Sequence, residues 1–158
     1  MKNAVLTELQ TQAEEFVAGP QVESFRLKQT GARSITFDGY ELCSSMSYVV
    51  GPPLWYELNI YQTDSQGFLI GIKMFTKNED EGDIHRVLEA SSLDDVAHIL
   101  ENYDPAFDID ASSVRVDDDT ISMAELSLAA VRLRQRIEEA RRQFKDLVGE
   151  ILYELDNG

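Results

Sequence analysis

The carboxylates between residues 78 and 119 are the densest group of chemistry-bearing side chains in the chain. Fourteen acidic residues fall there against Arg86 and Arg115, so this stretch carries −12 of the total −15. Oxygen-rich clusters hold hard cations, steer basic partners or keep a protein dissolved. Asp108, Asp110 and Ser112, with Asp119 at the twelfth position, have part of the spacing of a calcium loop. Ser113 stands where such a loop needs glycine for its turn, and the closing bidentate glutamate is missing. No metal site is assigned on that pattern, and no cofactor is expected. Asp117, Asp118 and Asp119 stand ahead of a helix, where the macrodipole favours anions. Together with Glu79, Asp80, Glu81, Asp83 and Asp94 they read as an acidic interaction surface.

Cys43 is the single cysteine, which excludes an internal disulfide and any zinc site needing two thiolates of one chain. It leans toward a reducing compartment. Of the two histidines, His98 falls opposite the apolar stripe of a short helix, a surface position. His85 follows the acidic loop, where carboxylates would raise its pKa. Cys43 or a serine against His85 would make a nucleophile and its base, because such sets are assembled in space. No nucleophile elbow, phosphate loop, dinucleotide fingerprint or zinc-helix motif is present. The residues favour a non-enzymatic protein over an enzyme.

Trp55, Tyr61, Leu69 and Phe75 surround Glu57 and Lys73 on one face of a hairpin, too aromatic for an idle solvent face. Either the N-terminal or the C-terminal helix covers that face, or it is a recognition surface. Aromatic platforms on sheets do bind nucleic acid, but a charge of −15 repels phosphate backbones, and no nucleic acid is expected. Arg132, Arg134, Arg136, Arg141, Arg142 and Lys145 hold six of the fourteen positive charges. They read as a solvated helix face with pairs such as Glu138–Arg142 and Arg142–Asp146. The other use for them is to bind an anion, or the acidic stretch of another subunit.

The elements that must position these groups follow from periodicity. A chain of 158 residues suits one domain with a sizeable core. Apolar spacing predicts a helix over residues 4–18, ended by Gly19-Pro20. Alternation predicts strands over 22–29, 33–38 and 40–50, the last closed by Gly51-Pro52-Pro53. Residues 55–63 and 68–77 form a hairpin with two candidate registers. Only the one pairing Trp55 with Phe75 and Tyr61 with Leu69 makes the opposite face wholly apolar, so that register is expected. Its loop is closed by Gly67 at positive φ.

Ser92 predicts the cap of a helix over 93–103, stopped by Asp104-Pro105. An edge strand is expected over 112–117. Ser122 and Glu125 form a capping box for a long last helix. Its seam, Ala130, Leu133, Ile137, Ala140, Phe144, Leu147 and Ile151, has coiled-coil spacing.

The expected fold is therefore α+β. An antiparallel sheet of four to six strands packs with an N-terminal helix (1–20), a short helix and a long C-terminal helix (120–156). No apolar run approaches the ~20 residues that span a bilayer, which reads as a soluble, cytoplasmic protein with no membrane partner. The leading expectation is an acidic interaction protein of the inhibitor, immunity or adaptor type. It would form a homo-oligomer, preferentially a dimer, through the last helix and offer its acidic surface to a basic protein. The competing expectation is a small enzyme or ligand-binding domain with a pocket between sheet and helices, lined by Trp55, Tyr61 and His85. A third is a carboxylate metal site over 104–119.

Overall fold

The computed structural model describes residues 21–78, 80–111 and 120–157. Five strands lie side by side in chain order: β1 (Glu23–Gln29), β2 (Ala32–Met46), β3 (Leu54–Thr63), β4 (Phe68–Thr76) and β5 (Ile84–Ala90), every neighbouring pair antiparallel. Helix α1 (Leu93–Asn102), a 3-10 turn (Pro105–Asp108) and helix α2 (Met123–Asn157) follow. The fold is α+β, a curled sheet with one short and one long helix. The helix expected over 4–18 and the strand expected over 112–117 fall on residues outside those described.

The β3–β4 hairpin has the expected register, with Glu57 opposite Lys73 and Asn59 opposite Gly71. The face chosen as apolar is buried throughout the strand centres: Tyr56, Leu58, Ile60, Ile70, Ile72 and Met74. The loop differs in one respect. Gln66, not Gly67, is left-handed at φ 70°. The Thr63 N–H donates to the Gly67 carbonyl at 2.9 Å, and the Gly67 N–H donates to Thr63 Oγ1 at 3.1 Å.

The curl comes from β2. Two strands were expected over 33–50; there is one of 15 residues, ending at Met46. Its first part pairs with β1 and its second with β3, and Gly39 lies at the corner, opposite both Glu23 and Thr63. A Cβ on Gly39 would lie 2.1 Å from the Gln62 carbonyl oxygen, so only glycine permits the two backbones to come this close. The register also slips between Glu41 and Cys43, a bulge that bends the strand further. In consequence Ile35 and Phe37 face the inside of the curl, whereas Leu42 and Cys43 pack toward the helices. Tyr48 and Val50, expected as strand residues, lie exposed in the loop that follows.

Strand β5 was not anticipated. Arg86 interrupts its alternation at a position where Ile84 and Leu88 pack against the helix-side core. The charge is tolerated because Arg86 Nε donates to Asp108 Oδ1 at 2.7 Å. Tyr103 donates its hydroxyl to the other oxygen of Asp108, which is 5% exposed.

Both helices pack on one face of the sheet. Ser92 caps α1 as expected, its Oγ accepting from the Asp95 N–H at 3.0 Å, and Val96 and Leu100 are buried. Leu93, expected in that stripe, is exposed. Ser122 Oγ accepts from the Glu125 N–H at 3.1 Å at the start of α2. At 35 residues, α2 is roughly 50 Å long. Its C-terminal half is stitched to the sheet: Ala140, Phe144, Leu147 and Ile151 are core, and Gln143 Nε2 donates to the Leu54 carbonyl at 3.0 Å. No described helix is long and apolar enough to cross a membrane.

Candidate ligand-binding site

The face of the sheet away from both described helices is concave; the C-terminal helix does not cover it, and the N-terminal helix, the other expected cover, falls outside the described residues. The β1–β2 hairpin covers part of it. Folded over at Gly39, it places Phe25, Leu27, Ile35 and Phe37 against Tyr61 and Leu69, with Val87 from β5. The Tyr61 ring centroid lies 5.0 Å from that of Phe25 and 5.4 Å from that of Phe37. Burial raises the Tyr61 phenol to about 12, assisted by the charges of Glu41 and Glu57. The tip of this hairpin docks on β5: the Thr30 N–H donates to the His85 carbonyl and the His85 N–H to Thr30 Oγ1, both at 2.8 Å.

The other end of the concave face is aromatic and half-buried. Trp55 stacks on Phe75 at 5.7 Å, Tyr48 meets Trp55 edge-on at 5.0 Å, and Phe75 meets His85 edge-on at 6.4 Å. Between the ends lies a polar floor. Lys73 Nζ is 3.7 Å from Glu57 Oε1, and Asn59 Nδ2 donates to that same oxygen at 3.2 Å. Asn59 is 4% exposed, and its Oδ1 has no hydrogen-bond partner. Gly71, opposite, keeps the wall thin; a Cβ there would touch Tyr61 at 3.6 Å and Asn59 at 3.7 Å.

Chain parity makes β1 and β5 parallel to each other, and among the described residues their backbones bond only at Thr30 and His85. The sheet therefore stops short of a closed barrel. The gap opens into a cavity of about 270 Å³ with Tyr61, Gly71 and Lys73 at its floor and the 26–28 and 85–87 segments as its lips.

The sequence-derived candidates distribute as follows. Trp55, Phe75 and His85 meet at one end; Tyr61 and Leu69 lie under the hairpin at the other. His85 is not raised by carboxylates. Burial, then Lys73 and Lys28, hold it below its ordinary value, outweighing Asp83 and Glu57. Cys43 is on the opposite face of the sheet from His85, so the two do not form a nucleophile–base pair. Burial, with Glu154 and Glu41, pushes its thiol up to about 11, leaving it protonated and a poor nucleophile at neutral pH. His98 is exposed, as expected.

Three carboxylates of the acidic stretch are answered by arginines of the chain. Arg136 holds Glu81 through two bonds of 2.7 and 2.6 Å, Arg141 holds Asp104, and Arg86 holds Asp108. Arg142 pairs with Glu139 rather than with Glu138 or Asp146. Asp108 is thus held in an ion pair, and Ser112, Ser113 and Asp119 of the calcium-like spacing lie outside the described residues. Asp80, Asp83 and Asp94 are exposed; Glu79, Asp117, Asp118 and Asp119 lie outside the described residues. Among the described residues no cluster of three or more His, Cys, Asp or Glu is placed to hold a metal. The seam on α2 is also redirected: Ala140, Phe144, Leu147 and Ile151 bury against the chain's own sheet, Leu133 and Ile137 are half-buried on the same core, and Ala130 is exposed.

Sequence reasoning missed Asn59, Lys28 and the β1–β5 gap. For Asn59 a signal existed: the correct register sets a polar residue opposite glycine on an otherwise aromatic face. For the gap there was none, because it depends on the bend at Gly39. Fold and site together define an α+β protein with a curled sheet and a recess inside the curl. No family model, curated protein or solved structure matches the chain.

Proposed function

We propose that the protein is a small-ligand-binding module whose site is the inside of the curled sheet. This keeps the ligand-binding alternative drawn from the sequence and moves its pocket to the other face, away from the helices. The observation that carries it is the cavity in the β1–β5 gap; Asn59, beside Gly71 in its wall, adds a buried acceptor with no partner among the described residues. A buried acceptor without a donor costs on the order of 1–3 kcal/mol, so this oxygen calls for a partner from outside the chain, a water, an ion or a ligand. That cavity, with a few polar groups such as Lys73 and His85 among Leu27, Tyr61 and Val87, has the usual make-up of a ligand pocket. Nothing in the recess supplies an activated nucleophile, so binding and not turnover is proposed.

The test is a panel of neutral, cationic and anionic small molecules, read by amide chemical shifts of the full chain. Hits should move Asn59, Tyr61 and Gly71 together, and Asn59→Leu should abolish those shifts while raising the urea midpoint. A variant that loses stability, or a panel without any hit at these residues, would overturn the proposal.

The acidic, self-associating interaction protein stands as a second reading, favoured by one observation. The N-terminal half of α2 leaves Met123, Leu128 and Val131 exposed at 76%, 50% and 51%. A homodimer would use that stretch, and a basic partner the exposed carboxylates Asp80, Asp83 and Asp94. Light scattering showing a strict monomer at high concentration removes the first part; a pull-down indifferent to salt removes the second.

A further inference from the structure

The lips of the β1–β5 gap carry positive charge on a protein whose net charge is −15. Arg26 and Lys28 lie on the β1 lip, His85 and Arg86 on the β5 lip, and Lys73 at the floor. Glu57 answers Lys73 at 3.7 Å, and Asp108 answers Arg86. Neither Arg26 nor Lys28 makes an ion pair among the described residues. Phe25 and Leu27 point into the curl, so Arg26 and Lys28 rim the outer side of the opening. Positive groups around a mouth with low-dielectric walls focus the field into it and raise the local concentration of anions. Burying a ligand charge there is favourable only if it is met by opposite charge at close range.

We infer that the gap admits a small anion, its carboxylate or phosphate held between Lys28 and Lys73. Lys28 thereby gains the counter-charge it lacks among the described residues, and Lys73 gains a second one beside Glu57. A neutral ligand would leave the lysines unused, and a cationic one would be repelled. The inference rests on the proposal that the inner face binds ligands, and adds the class of ligand.

His85 offers a readout that a merely structural role for the lysines would not move. It faces Lys73, Lys28, Asp83 and Glu57, and the two lysines act to keep it neutral. An anion between them cancels that effect, so the His85 pKa should rise on binding.

The experiment titrates the full-length chain with inorganic phosphate and with glycerol phosphate at constant ionic strength, following amide shifts and the His85 ring. Saturable shifts at Lys28, Gly71 and His85 are expected, with an upward His85 pKa. Binding should weaken about tenfold in Lys28→Gln/Lys73→Gln. Because Lys28 is exposed, Lys28→Gln alone keeps the fold and guards against a misfolded double variant.

Shifts reproduced by sodium chloride, or unchanged in the lysine variants, would overturn the inference. If neutral compounds move Gly71 and Asn59 while phosphate does not, the anion class falls and the ligand-binding proposal survives. If compounds of no charge class do so, both fall.

Discussion

At the scale of single residues, two carboxylates show how position decides what a charge does. Asp108 is buried between Arg86 and Tyr103, so Asp108→Ala leaves a half-buried guanidinium and a phenol without their acceptor. We expect a loss of about 3 kcal/mol, the lower end for breaking a buried pair because Arg86 is partly solvated, measured by urea unfolding. Glu81 is held below its ordinary 4.5 by the hydrogen bonds from Arg136. A lowered carboxyl stabilises the fold above its unfolded-state value and loses that contribution as the pH falls through the folded-state value. The difference in stability between wild type and Glu81→Gln should therefore be about 1 kcal/mol at pH 7 and shrink as the pH falls below 4.5 and through the lowered folded-state value. A difference that does not shrink would mean that Glu81 acts by packing. Asn59 stands apart from both, since its orphaned oxygen makes the native residue a poor choice for stability alone.

At the scale of elements, one glycine decides the site. Gly39 lets β2 cross from β1 to β3 and turn the first hairpin over the inner face. Gly39→Ala drives a Cβ into the Gln62 carbonyl, and a loss of 2 kcal/mol or more is expected, on the order of an overpacked core substitution. Faster hydrogen exchange at Leu27 and Tyr61 should accompany it, locating the damage in the hairpin. Unchanged exchange there would show that the corner relaxes without opening the curl. This element scale is also where sequence reading served best. The β3–β4 register, the Ser92 and Ser122 caps and the unbroken run of α2 all came from patterns within a few residues. Strand β5 was missed for an equally local reason: Arg86 occupies a core-side position, and its partner Asp108 is 22 residues away.

At the scale of the whole molecule, two arginines of the last helix tie it to the acidic stretch. Arg136 and Arg141 reach back to Glu81 and Asp104, joining segments 55 and 37 residues apart. The heptad seam is divided. Ala140, Phe144, Leu147 and Ile151 are core and Leu133 and Ile137 pack on it, while Ala130 is exposed; outside the seam, Leu128 and Val131 are exposed as well. Leu128→Glu/Val131→Glu should leave the urea midpoint within about 0.5 kcal/mol of wild type, as exposed substitutions do. If a dimer forms through this stretch, the same variant should be monomeric by light scattering; a dimer that survives it uses another surface.

Much of this protein is determined by the chain itself. Alternation places each residue of β3 and β4 on a face, hydroxyl caps start both helices, and heptad spacing commits α2 to a long run. These are short-range consequences of side-chain period and backbone hydrogen bonding, so they can be read without a partner element. The tertiary structure decided which face the helix would cover, which arginine would meet which carboxylate, and that β1 would fold over to leave a cation-rimmed gap beside Asn59. Those outcomes depend on a backbone bend at Gly39 and on contacts between residues far apart in sequence. Local pattern does not encode the distances that set them.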